Sequence, residues 1–213
     1  MLLRDDIHLT LRSEILSCAL PPGSELREQQ LAKRFAVSKS PVREALLRLQ
    51  REHLVEVESR QGYRVTRISI RDARDMYSFR STLESACVTM AAQQASDETL
   101  AALDAHRRLP KRMSTEEFVR RNREFHCELF RASGNQRLGT VARELIEQMD
   151  RMTLISIHTI MGHDTAQLVR EHCGVIDALQ ARNGRLAAKL MRAHVGEAAK
   201  RMLKGLGSSA VTT

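Results

Sequence analysis

Two hydrophobic rhythms divide this chain, and the change between them falls near residue 70. Before it, Ile7, Leu11 and Ile15 recur every fourth residue and form one apolar stripe, the signature of an amphipathic helix. Pro21-Pro22-Gly23 stops that helix. A second helix is expected from about residue 27 to residue 35, burying Leu31 and Phe35. Ala36-Val37 then makes a tight turn, and Ser38 stands where a side chain caps a third helix. Pro41 falls in the first turn of that helix, where a missing N–H costs little. Val42, Ala45, Leu46 and Leu49 share one side of it. Val55 and Val57 next alternate with Glu56 and Glu58, Gly62 permits a sharp turn, and Tyr63-Arg64-Val65 returns as a second strand. Helix, helix, turn, helix, hairpin is the order of a winged helix-turn-helix.

Beyond residue 70 every apolar pattern has helical period and nothing alternates as a strand does. Helices are expected over 72–95 and, more weakly, 97–109. Ser114-Thr115-Glu116-Glu117 is a capping box that opens a helix ending at Ala132, and Ser133-Gly134-Asn135 breaks the chain. One long helix should follow over 136–160. Asp164 can cap another that runs to residue 182 and is ended by Asn183-Gly184, and a last helix should span 185–203. The fold expected is mainly α. Residues 1–70 form a winged helix-turn-helix, 71–205 an all-helical antiparallel bundle, and 206–213 a flexible tail.

Charge narrows the partner. Lys and Arg number 34 against 26 Asp and Glu, a formal net charge of +8, which favours nucleic acid or an anionic membrane surface. Aromatic residues make up only 3% and Trp is absent, so the stacking platforms of single-strand binders are missing. The uncharged stretch 152–163 is too short and too polar to span a bilayer, and the first residues lack the apolar run of a signal peptide. Cys18, Cys87, Cys127 and Cys173 are scattered without a C-x-x-C pair, which fits reduced thiols in a cytoplasmic protein.

At 100° per residue, Lys39, Ser40 and Arg43 lie opposite the apolar side of the third helix and near its N-terminus, where a recognition helix meets base edges. Arg43 can contact a guanine edge with two bonds, and Lys39 and Ser40 suit phosphates or bases. The alternative is an ordinary solvated helix face. Here the residues resemble a family. Pro22-Gly23-x-x-Leu26, Gln30-Leu31-Ala32 and the run Val37-Ser38-Lys39-Ser40-Pro41-Val42-Arg43-Glu44-Ala45-Leu46 are similar to the DNA-binding domain of GntR regulators, over roughly residues 7–67. The resemblance implies that Ser38, Lys39, Ser40, Pro41 and Arg43 lie at the recognition helix, Gln29 on the helix before it, and Gln61-Gly62 at the wing tip. Lys39 stands where the family often has Arg, and His53 where a Gly commonly ends the helix.

In the second half three separate helices each aim a histidine at the core. His126 shares a stripe with Phe118, Asn122, Phe125 and Leu129, His172 with Leu168, Val175 and Leu179, and His194 with Leu186, Leu190 and Ala198. Each alone reads as a hydrogen-bonded core residue, but together they suit a metal site inside a bundle. Arg80 lies on the arc of Met76, Leu83, Cys87 and Met90, so its charge needs an anion. That anion is either Glu84, one turn away, or a bound ligand. Arg80-x-x-Leu83-Glu84, Asn122-x-x-Phe125-His126-x-x-Leu129, Ala132-Ser133-Gly134-Asn135, Glu171-His172 and His194 resemble the FCD domain found in the FadR branch of GntR regulators. The resemblance implies a divalent metal ion, Zn²⁺ or Ni²⁺ among the candidates, on Asn122, His126, His172 and His194, with a small organic acid as effector near Arg80. Asn in place of the family's frequent Asp keeps an oxygen ligand and removes a charge.

The function expected is a homodimeric regulator, a repressor, that binds double-stranded operator DNA and answers to a metal-bound carboxylate, with no membrane role. Two other readings differ in class. The metal ion itself would be the signal in a direct sensor. A metal-dependent hydrolase would need a general base at fixed spacing, and no H-E-x-x-H or similar motif supplies one.

Overall fold

The computed structural model describes residues 3–58, 62–110, 113–154 and 165–208. The chain divides into two compact units, Met1–Ser69 and Ile70–Thr213.

The first unit runs α1 (Leu3–Leu16), β1 (Glu25–Leu26), α2 (Glu28–Arg34), α3 (Lys39–Arg51), β2 (Val55–Glu58) and β3 (Gly62–Val65). Ile7, Leu11 and Ile15 of α1 and Val42, Ala45, Leu46 and Leu49 of α3 meet in one core with Leu31, Val55 and Val65. The apolar stripes read from the sequence are therefore the buried faces. The sheet has one strand more than the hairpin pattern predicts. β1 pairs antiparallel with β3 (Glu25 with Arg64, Leu26 with Tyr63), so the order is β1-β3-β2. Two residues are too few to show an alternation, which is why only the hairpin was legible. Ion pairs from α1 to α3, Arg4–Glu44 at 2.8 Å and Arg48–Asp5 at 2.6 Å, edge the packing that fixes α3. Exposed pairs of this kind contribute little beside the apolar contacts.

Ser38 takes the N-cap position of α3 with extended backbone (φ −71°, ψ 168°), but its hydroxyl makes no capping bond. The position was legible and the bond was not formed. Ala36 (φ 54°) turns the chain between α2 and α3, and His53 (φ 57°) turns it out of α3.

The second unit contains α4 (Ile70–Gln94), α5 (Asp97–Ala102) continued by a 3₁₀ turn (Leu103–His106), α6 (Thr115–Ala132), α7 (Gln136–Gln148), α8 (Thr165–Gln180) and α9 (Gly184–Ser208). α4 packs against α6, α7, α8 and α9 and is the central helix. Ser114 opens α6 by accepting from the Glu117 N–H at 3.1 Å, as the capping box predicts. Asn135 does the same for α7 from the Leu138 N–H.

Several boundaries differ from the periodicity reading, among them the helix expected over 97–109, which ends at Ala102 and passes into the 3₁₀ turn that stops at His106. The long helix expected over 136–160 stops at Gln148, turns at Met149 and resumes over 150–154. Beyond the turn, buried Asp150 pairs with Arg123 of α6, a tertiary contact that periodicity does not encode. Asp164 and the rest of 155–164 lie outside the described residues. Asn183-Gly184 ends α8 and also begins α9. The Asn183 N–H bonds to the Ala178 carbonyl, its Oδ1 accepts from the Leu186 N–H at 3.0 Å, and Arg182 (φ 56°), not the glycine, takes the left-handed position. Gly184 serves close approach instead. A Cβ there would lie 3.3 Å from Ala92 Cβ and from the Thr89 carbonyl of α4. Finally, α9 runs to Ser208, past its expected end near 203.

Candidate functional site

Each unit carries one constellation. In the first, Gln29 on α2 and Ser38, Lys39, Ser40 and Arg43 on α3 are all exposed, and Pro41 is half-buried in the first turn of α3. Their side of α3 is opposite the buried Val42, Ala45, Leu46 and Leu49. With the Ser38 side chain making no capping bond among the described residues, the N–H groups that open α3 suit an anion. Arg43 does not wave free. Its Nε and Nη2 both donate to the Glu28 carboxylate of α2, each at 2.8 Å. That bond holds the Glu28 carboxyl below its usual range even though partial burial opposes it. At the wing, Gly62 has φ 106°, and a Cβ there would come within 3.0 Å of the Leu26 carbonyl. No other residue fits that crossing of the hairpin over β1. Gln61 and Arg60 lie outside the described residues.

The second constellation is buried. α6 contributes His126, α8 His172 and α9 His194, which are 0%, 7% and 3% exposed. One ligand atom from each lies within 4.8 Å of the others. The stripes read for α6 and α8 converge here, whereas on α9 His194 is buried with Ala187, Met191 and Val195 rather than with Leu186, which is 41% exposed. α4 adds Arg80 and Glu84, both almost wholly buried and paired through Arg80 Nε to Glu84 Oε1 at 2.7 Å. Of the two anions weighed for Arg80, Glu84 is the one it pairs with, and its Nη2 also reaches His126 Nε2 at 2.7 Å.

Proton positions follow from the partners. A guanidinium can only donate, so His126 Nε2 accepts, and the His126 Nδ1–H faces Glu84 Oε2 at 2.9 Å. His194 Nδ1 donates to Glu171 Oε2 at 2.7 Å. His172 stacks on Phe125 at 3.9 Å between ring centres, and its buried Nε2 has no hydrogen-bond partner among the described residues. Burial holds the His126 imidazolium down to about 4, against the pull of Glu84. Burial, then the neighbouring histidines, push His172 well below its usual range. Burial alone would raise Glu84, but Arg80 and His126 outweigh it and bring its carboxyl to about 2. At neutral pH His126 and His172 are therefore neutral, with the His126 Nε2 lone pair taken by Arg80, whose charge is balanced by Glu84.

Asn122 lies one turn before His126 and, with His172, lines a small solvent-open pocket of about 20 Å³. Phe118, Leu168 and Val169 make its apolar wall, and Arg108 and Arg121 bring positive charge. The Arg121 Nε is buried without a hydrogen bond among the described residues. Sequence reasoning did not single out Arg121 or the His194–Glu171 bond. Each depends on which helix faces which, and only Glu171 carried a signal, as the neighbour of His172.

Residues 3–65 match the family described as bacterial regulatory proteins, gntR family, and residues 75–197 match the FCD domain. A transcriptional regulator of Streptomyces ambofaciens is 30% identical over 194 residues, 90% of this chain and 81% of that protein. The transcriptional repressor RspR of Escherichia coli is 27% identical over 195 residues, 90% of this chain and 85% of its own length. Among solved structures, a GntR family member from Pseudomonas syringae is 27% identical with a TM-score of 0.60, covering 97% of this chain and 86% of that one. The Escherichia coli McbR/YncC structure, at 20% identity, shares the fold with a TM-score of 0.77 across 96% of this chain and 98% of that one. The winged helix-turn-helix, the helical second unit and these matches together place the chain in the GntR family of bacterial DNA-binding transcription regulators, with an FCD domain as its second unit.

Proposed function

We propose that this regulator is a homodimeric repressor whose hold on operator DNA is set by a small carboxylate bound at the histidine cluster. Arg43, Lys39, Ser40 and Ser38 read and grip the major groove, Gln29 and Pro41 support that contact, and the wing at Gln61-Gly62 follows the neighbouring groove or backbone. A relative of similar length is named a repressor, which supports that sign of control. The homodimer supplies the second recognition helix that a single half-site lacks.

The observation that carries the effector reading is the orphaned His172 Nε2, buried beside two further imidazoles and a guanidinium. A buried acceptor left without a donor costs free energy, on the order of 1–3 kcal/mol, unless something fills the site. The nitrogens of His172 and His194, the His126 Nε2 once Arg80 releases it, and an amide oxygen would suit a borderline divalent ion. His126, His172, His194 and Asn122 would hold it, and it would supply a Lewis-acidic anchor for a carboxylate oxygen. This chain's own residues do the rest. Arg80 bears a permanent positive charge at the cluster, Phe118, Leu168 and Val169 take the apolar body of an acid, and Arg108 and Arg121 draw anions to the mouth. Control follows only where the bound acid favours one arrangement of the DNA-binding units over another.

A second reading, in which the ion alone is the signal, rests on the same orphaned nitrogen. One experiment separates them. Fluorescence anisotropy of the full chain with duplex DNA from upstream of its own gene is measured at two salt concentrations, after chelation, with Zn²⁺ or Ni²⁺, and with a panel of small carboxylates. Binding should weaken with salt and fall roughly ten- to hundredfold in Arg43→Ala. Release that requires both ion and acid, and is lost in Arg80→Gln, supports carboxylate control. Release by the ion alone establishes the sensor. No response to either sinks the histidine cluster as the control site.

A further inference from the structure

The recognition arginine is not a free side chain, and the geometry of what holds it has a consequence for base reading. A guanidinium carries five N–H donors in a planar fork. Glu28 engages the side of that fork, through Nε and Nη2 at 2.8 Å each. The opposite end, formed by Nη1 and the outer hydrogen of Nη2, is the edge that matches the paired O6 and N7 acceptors of guanine. Arg43 is 59% exposed while Glu28 is 20% exposed, so the carboxylate sits inward and the guanidinium outward. Glu28 itself is anchored in the first turn of α2, where the helix dipole favours a carboxylate.

We infer that Glu28 is a specificity-determining residue of the DNA interface, holding the Arg43 guanidinium side-on so that its free end meets a guanine edge in the major groove. This rests on the reading of Arg43 as a base contact. Two physical effects follow from the pair. Arg43 is ordered before DNA arrives, so less side-chain freedom is lost on binding the correct base. The carboxylate also neutralises the charge that would let Arg43 grip any phosphate, and itself repels the backbone, which penalises duplexes offering no guanine at that step. Glu28 is therefore a positioning residue with two expected signs. Its loss weakens preference at one base position and strengthens sequence-independent binding.

The test uses the full-length protein and a pool of randomised duplexes, selected in parallel by the natural chain and by Glu28→Gln, Glu28→Ala and Arg43→Ala. Affinities are then measured on the enriched duplex and on copies in which single guanines are replaced by 7-deazaguanine, which lacks the N7 acceptor. The natural chain should lose roughly tenfold at the guanine read by Arg43. Both Glu28 variants should lose most of that discrimination, keep their preferences at every other position, and bind a scrambled duplex several-fold more tightly. Retained preferences elsewhere show that each variant is folded. If the Glu28 variants tighten binding to all duplexes by one common factor, with guanine discrimination intact, the carboxylate is only a charge and the inference is overturned. If Arg43→Ala itself leaves every preference as it was, the base-reading assignment of Arg43 fails first, and the role of Glu28 falls with it.

Discussion

His53 ends α3 with φ 57°, a left-handed conformation in which a Cβ crowds its own carbonyl. The turn around it is a Schellman closure. The His53 N–H bonds to the Gln50 carbonyl at 3.0 Å and the Leu54 N–H to the Leu49 carbonyl at 2.9 Å. Glycine adopts this geometry without strain, while its own flexibility in the unfolded chain offsets part of the gain. His53→Gly should therefore stabilise the DNA-binding unit by about 0.5–1 kcal/mol, seen as a higher urea midpoint at unchanged slope. An unchanged or lower midpoint would show that the histidine ring contributes something the backbone account omits. At this scale the sequence was informative wherever a residue type is demanded by backbone geometry. His53 stood out as a departure, and Gly62 as the place for the wing turn. It was silent on bonds between residues far apart in the chain. Glu28 and Arg43 are fifteen residues apart and gave no local signal, and the position of Ser38 did not reveal that its hydroxyl makes no capping bond.

The elements were legible in proportion to how much of their order is local. α1, α3, α6 and α8 each bury the stripe their periodicity marks, because amphipathicity is written within one helix. β1 is too short to carry a pattern, and the turn at Met149 follows from a contact with α6 rather than from any breaker residue. The histidine cluster stands between these cases. His126 and His172 were visibly on core stripes and His194 was placed inward on a stripe one register off, with Leu186 exposed and Ala187, Met191 and Val195 buried, because their meeting depends on how α6, α8 and α9 are rotated about α4. Their meeting has a measurable cost in acid. His126 and His172 stay neutral when folded, whereas in the unfolded chain they take protons near pH 6.5. The unfolded state therefore binds more protons as pH falls through that value, and stability drops from about pH 6.5 down to about 4 for His126. Glu84 acts lower. Its depressed carboxyl contributes fully above its ordinary value of 4.5, and that contribution is lost as pH falls from there towards about 2. In chelator-treated protein the second unit should thus melt several degrees lower at pH 5 than at pH 7, with the difference reduced in His126→Gln. A melting temperature flat across that interval would mean the imidazoles are not held neutral.

For the whole molecule the governing fact is that its one recognition helix is short. α3 has thirteen residues, and Lys39, Ser40 and Arg43 in its first turns, with Ser38 at the cap, face outward as the side chains proposed to read DNA. So few side chains reach only a handful of base pairs, too few to select one site against the excess of non-specific duplex that a chain of net charge +8 also attracts. In the homodimer proposed above, specificity comes from two copies acting on two half-sites, with the second contact intramolecular. That linkage strengthens binding by roughly 10²–10⁴ when the geometry allows both contacts at once. It also makes binding depend on helical phase, since half-sites must present their major grooves on one face of the duplex, about one turn of 10–10.5 base pairs apart or a multiple of that. Inserting five base pairs between the half-sites of an enriched duplex turns the second groove to the far side, and affinity should fall to that of a single half-site. Inserting ten restores the face but stretches the span by about 34 Å, so recovery should be partial at most and set by how far the two DNA-binding units can separate. Dependence on the length of the insert without this half-turn penalty would indicate two monomers bound side by side, and the dimer would have to be abandoned as the unit that reads DNA.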